Sequence, residues 1–274
     1  MDSENYELFM GRWSLGLAHQ FVEFADIGPR ETTLDVGCGT GSLTAALICC
    51  HKSDVVCGIE INEDFVVHAR RRFAGKNNVF FVRGDAALMP YPSGLFDNTS
   101  ALLSLPFFAD PLRVVREMVR VTRPGGIVSG CSWEPSGFEP DAMFWDEASQ
   151  FQLLSRSWRQ PKRLWRRSEF DASIGCHLWS AVGLRNLRFS SLKISMTFES
   201  FEDFWRPFIN SPGRHGTFLA ALSAEQRMLM EHALRRRFSR TVRDPFQMTG
   251  RAFAICGTVP VQLPIVRKYS QRFP

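Results

Sequence analysis

The stretch TLDVGCGTGSLTAAL, Thr33 to Leu47, places three glycines, Gly37, Gly39 and Gly41, within five residues. An apolar run leads into them and a helical pattern follows. A glycine-rich turn between a strand and a helix lets the backbone approach a nucleotide-like ligand at the helix N-terminus. The order here is G-x-G-x-G, with Ser42 where the third glycine of the dinucleotide fingerprint G-x-G-x-x-G would stand, so by itself it is weak evidence for a dinucleotide. No lysine follows the glycines, which excludes a phosphate loop of the G-x-x-x-x-G-K-[ST] kind. No Arg or Lys occupies the turn, so phosphate is not called for.

Working outward, the chain from about residue 31 to 133 alternates short apolar strands with amphipathic helices. TTLDVGC, VVCGIEI, NVFFVRGDA, DNTSALLSL and GGIVSGCSW read as five strands. Between them lie SLTAALICCH, the helix NEDFVVHARRRFAG with Phe65, Val66, Ala69 and Phe73 on one face, and DPLRVVREMVRVT, begun by Asp110 and Pro111. Such alternation implies parallel strands joined by right-handed crossovers, hence a doubly wound α/β sheet. The second half is less regular. CHLWSAVGL reads as a helix ended by Gly183, LRFSSLKISMTF as a strand, SFEDFWRPFIN and SAEQRMLMEHALRRRF as helices, and QMTGRAFAICGTV as a final strand.

Composition narrows the class. Apolar residues at 45% and charged residues at 22% suit a globular chain and exclude a disordered one. The N-terminus is acidic and polar, unlike a signal peptide, and no apolar run approaches the roughly 18–20 residues that span a bilayer; the expected location is cytoplasmic. Seven cysteines, an odd number without a C-x-x-C pair, signal neither a disulfide framework nor a zinc site; no metal is expected. Residues 1–150 carry a net charge of −8 and residues 151–274 a net +13, which together give the chain's +5. A basic half favours a negatively charged partner.

Two acidic residues stand downstream at positions suited to a nucleoside. Glu60, at the end of the second strand, can accept hydrogen bonds from both hydroxyls of a ribose. Asp85, in RGDA after the third strand, can accept from the amine of adenine. With these, LDVGCGTG, GIEIN, GDAALMPYPSGLFD and VREMVRVTRPGGIV together resemble the class I S-adenosylmethionine-dependent methyltransferases, most of all the bacterial small-molecule enzymes related to the quinone-biosynthesis C-methyltransferases. The likeness is strong over about 31–133 and continues more weakly through MGRWS, FESFEDFWRPF and TGRAFAICGTVP.

The resemblance implies a Rossmann-like, seven-stranded, mostly parallel sheet. It divides the chain into an N-terminal helical lid (1–30), a core (31–198 and 241–260), a helical cap inserted between the last two strands (199–240) and a tail (261–274). It implies S-adenosylmethionine as cofactor. Gly37, Cys38, Gly39 and Gly41 would pass the backbone close to its methionine part, and Asp35 would hold the loop. Glu60 would take the ribose, Ile61 the adenine face, Asp85 and Ala86 the adenine amine, and Leu103 the reacting end.

Methyl transfer is an in-line displacement for which the sulfonium already supplies the leaving group. The protein has chiefly to align the acceptor, which contributes roughly 7–11 kcal/mol, and needs a general base only if the acceptor must lose a proton. Related enzymes often place His or Asn after strand four. Here LSLPFFADP offers Pro106 and Phe107, neither able to move a proton. A base could instead come from Tyr6, His19, Glu134, Asp141, His177 or His215. The aromatic second half points to an apolar acceptor pocket, with Tyr6 and Trp13 from the lid and Phe107 and Trp133 near the reacting carbon. The basic stretch SWRQPKRLWRRSEF offers Arg166 and Arg167 to an anionic end of the substrate. The expected partner is therefore a small molecule, partly hydrophobic and carrying an anionic group; nucleic acid and a membrane surface are weaker candidates. Two other functions stay open: a tRNA- or rRNA-modifying methyltransferase, and a protein that binds the cofactor without this chemistry.

Overall fold

A computed structural model describes residues 3–29, 31–49, 53–154, 172–209, 214–241 and 245–261. The chain opens with a short helix α1 (Ser3–Tyr6), a π-helical turn (Glu7–Gly11) and α2 (Arg12–Ala25). There follow β1 (Thr32–Val36), α3 (Ser42–Cys49), β2 (Val55–Glu60), α4 (Glu63–Arg72), β3 (Val79–Arg83), β4 (Phe96–Leu102), α5 (Pro111–Val121) and β5 (Thr122–Phe138). The second half adds α6 (Glu139–Leu154), α7 (Ala172–Ala181), β6 (Arg185–Phe198), α8 (Phe201–Ile209), α9 (Arg214–Ala221), α10 (Ala224–Thr241) and β7 (Phe246–Thr258).

The seven strands form one sheet in the order β3-β2-β1-β4-β5-β7-β6. Strands β1 to β5 pair in parallel, as the alternation predicts, and β7 runs antiparallel to both β5 and β6. β6 therefore points the same way as the parallel set. The carboxyl ends of β1, β2, β4, β5 and β6 share one edge of the sheet, which is the edge where open α/β sheets bind ligands. The glycine turn after β1, α6 after β5 and helices α8 to α10 after β6 all rise from it. β7 then returns from the cap into the sheet, which is why it alone runs the other way.

Local chemistry explains the helix starts. Asp110 accepts from the Arg113 amide at 3.0 Å with Pro111 at the first position of α5, and the Asn62 side chain accepts from the Asp64 amide at 2.9 Å to begin α4. In α5, Val114, Val115, Met118 and Val121 are buried in an i, i+4, i+7 stripe against the sheet. The other helical face of that layer is held by Trp179 of α7. Its ring is fully buried and its Nε1 donates to the Val128 carbonyl at 3.0 Å. Gly130 and Gly257 make room for it: a Cβ at either position would lie 2.7 Å or 3.2 Å from that ring.

Helices α6 and α9 have no counterpart in the sequence reading. α6 buries Phe144, Trp145 and Ala148 and half-buries Met143, so it shows no clean polar stripe. α9 is eight residues long, too short for periodicity to identify.

The N-terminal segment bridges the two ends of the carboxyl edge. The Tyr6 ring lies 5.1 Å from Phe65 of α4, the Phe9 ring 5.9 Å from Phe138 and 5.0 Å from Phe208, and Arg12 pairs with Asp203 of α8 at 2.6 Å.

Trp179 fills the space that two glycines vacate and satisfies a buried carbonyl. Trp179→Ala should therefore destabilise the protein by about 3–5 kcal/mol. Urea unfolding of the purified variant measures this; a loss below about 1 kcal/mol would mean that the α7 layer collapses without it.

Candidate functional site

The turn after β1 is stitched to β2 by its own backbone. The amides of Gly37 and Cys38 both donate to the Ile59 carbonyl, at 2.8 and 3.1 Å, and the Gly41 amide donates back to Cys38 at 2.9 Å. This winding puts Gly37, Gly39 and Gly41 at φ of 68°, 53° and 90°, the left-handed region that costs other residues about 1–2 kcal/mol. The three differ in what surrounds them. A Cβ on Gly37 would lie 2.5 Å from the Ser104 Cβ, and one on Gly41 2.6 Å from the Phe73 ring. A Cβ on Gly39 would meet nothing within 4 Å. Packing of the protein itself thus accounts for the first and third glycines, while the middle one borders open space. Beside it, the Thr40 and Ser42 hydroxyl oxygens are buried with no partner among the described residues.

Two carboxylates bond at this turn and the helix it opens, and a third, Asp85, follows β3 on the same edge of the sheet. Asp35, at the end of β1, is 1% exposed, and its Oδ2 accepts from the Thr44 amide at 3.0 Å and the Thr44 hydroxyl at 2.8 Å. It ties the first turn of α3 to the strand. Burial pushes its pKa up to about 7, against the opposing pull of the Thr44 bonds, and nearby Glu60 adds to the rise. Glu60 ends β2, and its two oxygens accept from the Gly39 amide at 3.1 Å and the Asn62 amide at 2.9 Å. Asp85 is exposed after β3 and accepts from the Ala87 amide at 2.8 Å, with Ala86 buried beside it. Ile61 is 63% exposed next to Glu60.

Across the turn, Leu103 is buried with φ at 59°, strained for a residue with a side chain, and its amide donates to the Cys131 carbonyl at 2.7 Å. The Ser104 hydroxyl donates to the Val36 carbonyl at 2.7 Å, locking β4's exit against β1. The short 3-10 turn Leu105–Phe107 then follows. It buries Leu105 and leaves Phe107 74% exposed. Phe108, one residue on, reaches back so that its ring tip would lie 3.3 Å from a Cβ on Gly37.

In the N-terminal segment, Tyr6 has its phenol pushed up to about 12 by burial, with the charges of Glu7, Glu60 and Asp35 adding to the rise. The first of these lies in the N-terminal segment and the other two beside the glycine turn. Trp13 stacks under Arg12 at 4.4 Å and packs against Phe198 at 5.2 Å. Trp133, near the end of β5, lies 5.0 Å from Phe138 and has its indole N–H buried without a partner among the described residues. Arg166 and Arg167 lie outside the described residues.

The candidate bases separate sharply. His177 is exposed on α7 and His19 half-buried on α2. Glu134 is engaged by Ser191 and, at 3.7 Å, by Arg251. Asp141 and His215, 74 residues apart in sequence, meet: His215 Nε2 lies 2.6 Å from Asp141 Oδ1. Asp141 also accepts from Trp145 Nε1 at 3.2 Å and from Arg214. Burial alone would raise Asp141, but the bond and charge of His215 and the charge of Arg214 hold it below the usual carboxylate range. Burial lowers His215 more than its bond to Asp141 raises it. The sequence shows each residue singly; only the packing of α6 against α9 joins them. Among the described residues no three His, Cys, Asp or Glu side chains gather as a metal site, and no helix is long and apolar enough to cross a membrane.

Residues 34–129 match the family model of a methyltransferase domain. Over 106 residues the chain is 37% identical to the demethylmenaquinone methyltransferase of Staphylococcus aureus, covering 38% of this chain and 44% of that enzyme. The chain thus matches less than half the length of these curated relatives. Among solved structures, the YcgJ protein of Bacillus subtilis is similar with a TM-score of 0.56 at 20% identity, covering 91% of this chain and 99% of that one. The phosphoethanolamine N-methyltransferase 2 of Haemonchus contortus, solved with phosphomonomethylethanolamine and S-adenosylhomocysteine, gives 0.57 at 12% identity over 94% of this chain and 57% of that one. At such identities the two structures show a shared fold.

The glycine geometry separates packing from ligand binding. Gly39→Ala should cost only about 1–2 kcal/mol, the left-handed strain alone. Gly37→Ala adds an overpacking cost of about 1–3 kcal/mol to the same strain. Thermal melts of the two variants should rank Gly37→Ala as clearly the less stable; equal losses would contradict the different surroundings of the two positions.

Proposed function

We propose that the chain carries a class I S-adenosylmethionine-dependent methyltransferase domain and uses it to move a methyl group from S-adenosylmethionine to a small, largely hydrophobic acceptor. The observation that carries this reading is the uncovered Gly39 held on Glu60, with Ile61 exposed next to that carboxylate and Asp85 following the neighbouring strand β3. The residues present fit the cofactor. Glu60 would take the ribose hydroxyls through the free lone pairs of its oxygens, Ile61 would lie on the adenine face, and Asp85 with the Ala86 amide would meet the adenine edge. The backbone at Gly37, Cys38, Gly39 and Gly41, with the Thr40 and Ser42 hydroxyls, would line the methionine part, and Asp35 sits beneath it as a buried carboxyl that an ammonium group would neutralise. The bound cofactor supplies an activated methyl on a sulfonium. The protein's share is to hold the acceptor in line and keep water out.

The N-terminal segment serves as the lid of this reading, with Tyr6 over the cofactor side and Trp13 at the cap. Helices α6 and α8 to α10 supply aromatic walls, and Trp133 and Leu103 lie nearest the reacting end. Aromatic faces suit a hydrophobic acceptor and stabilise the cationic sulfonium beside it. The net +13 of residues 151–274 supports an anionic group on the same acceptor, with Arg166 and Arg167 as its partners.

Two outcomes test the cofactor assignment. Glu60→Ala and Asp85→Ala should each weaken S-adenosylmethionine binding by about 1–3 kcal/mol in titration calorimetry, because each leaves ligand donors unpaired; unchanged affinity in both would contradict it. Incubation with methyl-labelled cofactor and a fractionated cell extract should place the label in small organic-soluble products, and label confined to RNA would overturn the small-molecule acceptor.

The raised pKa of Asp35 gives a second, pH-dependent outcome. A carboxyl that ionises near 3.8 unfolded and at about 7 folded contributes stability below pH 4, and that contribution is lost as the pH rises to about 7. A cationic ligand placed over it lowers the folded pKa again. Cofactor binding at pH 6 should therefore release protons from the protein. Calorimetry in two buffers of different ionisation enthalpy detects this, and identical apparent enthalpies in both would show that Asp35 does not meet the cofactor's charge.

A further inference from the structure

Glu7 lies in the π-helical turn of the N-terminal segment. The residue is half-buried, but its Oε1 is fully buried and has no hydrogen-bond partner among the described residues. The carboxylate folds back along the turn onto Gly11, four residues on, where a Cβ would come within 2.5 Å of it. Gly11 is buried at a helical φ of −59°, so the backbone itself does not call for glycine there. The missing side chain makes room for the carboxylate.

One nitrogen ties that carboxylate to the glycine turn. Arg72 Nη1, at the end of α4, donates to the Thr40 carbonyl at 3.2 Å and lies 4.0 Å from Glu7 Oε1. At 4.0 Å the pair is a charge contact and not a hydrogen bond, so Oε1 keeps its accepting lone pairs. The neighbouring Tyr6 feels the charges of Glu7, Glu60 and Asp35 together, and its ring packs on Phe65 of α4 at 5.1 Å. The turn adds two more unpartnered groups, the hydroxyls of Thr40 and Ser42, residues only 1% and 6% exposed. A buried carboxylate oxygen without a hydrogen bond costs free energy. A ligand that brings a compact cation with several N–H donors removes that cost, and an ammonium group is such a cation, with three donors and no acceptor.

We infer that Glu7 is a cofactor-binding residue of this site and that it accepts from the ammonium group of the cofactor's methionine part. This rests on the methyl-transfer reading above and adds to it a contact from outside the sheet and its glycine turn. Asp35 and the turn belong to the first strand and its exit; Glu7 comes from the segment that precedes them. The N-terminal segment thereby senses whether the ligand carries its amino group. A nucleoside without that group leaves Glu7 Oε1 unsatisfied, and one that has it draws the segment onto the glycine turn. Arg72 sets the place of both partners, holding the Thr40 carbonyl and facing the Glu7 charge with the same nitrogen.

The probes are S-adenosylhomocysteine, which carries the ammonium and no sulfonium, and its deaminated analogue, which keeps the carboxylate and the adenosine. In titration calorimetry wild-type protein should bind the first about tenfold or more tightly than the second. Glu7→Gln should cut that preference about tenfold by weakening S-adenosylhomocysteine, with the affinity for the deaminated analogue unchanged. Gly11→Ala displaces the carboxylate without removing it, at a helical position that accepts alanine, and should reduce the preference in the same direction. It decides the matter if Glu7→Gln fails to fold. The inference is overturned if wild type binds S-adenosylhomocysteine no more tightly than the analogue, or if folded Glu7→Gln keeps the wild-type preference, whether or not both affinities fall. Failure of the wild type to bind either ligand would instead sink the cofactor assignment on which the methyl-transfer reading stands.

Discussion

The carboxyl edge of this sheet depends on one constraint: the chain leaving β1 must reverse at Gly37 while still bonded to β2. Two amides share the Ile59 carbonyl, and the reversal is possible because Gly37 takes a positive φ with no side chain to strike Ser104. Everything else at the edge is referred to that turn. It brings the Gly39 amide onto Glu60, sets α3 on Asp35, and holds β4's exit through Ser104 on Val36. The turn's floor is backbone, so its shape survives changes in most side chains.

The first half of the chain was legible because its elements are local. Strand, glycine turn and amphipathic helix each announce themselves within a dozen residues, and α5 begins at the Asp110–Pro111 pair where capping chemistry puts it. Phe107 shows the limit of such reading: nothing local distinguishes it from Phe108, and the 3-10 turn that exposes one and turns the other inward is set by the strained Leu103 and the Ser104 bond.

The second half was less legible because apolar residues do not mark its buried positions cleanly. In α6 the run Ala142–Trp145 is apolar throughout, yet Ala142 and Met143 are only half-buried while Phe144, Trp145 and Ala148 are buried, so the sequence carries no clear helical period. Phe144 stacks on Phe208 at 4.8 Å, Phe204 packs on Phe238 at 4.7 Å, and Phe198 stacks on Phe246 at 5.3 Å, and these rings continue the core that α2 and α3 bury against the sheet. Within it, the Asp141–His215–Arg214 group is the polar exception. A buried polar cluster costs free energy unless its members satisfy one another, as Asp141 does by accepting from Arg214 and Trp145 beside its bond with His215. That residue pair could not be read from sequence, because 74 positions and two unrecognised helices separate its members.

The account stands or falls on whether the uncovered face at Gly39 holds the cofactor. A crystal structure of the chain with S-adenosylhomocysteine tests this most directly. The account predicts the ribose hydroxyls on Glu60, the adenine between Ile61 and Asp85, and the thioether sulfur directed past Leu103 toward Trp133 and the aromatic cap. A ligand bound elsewhere, or one whose sulfur points away from the cap, would contradict it.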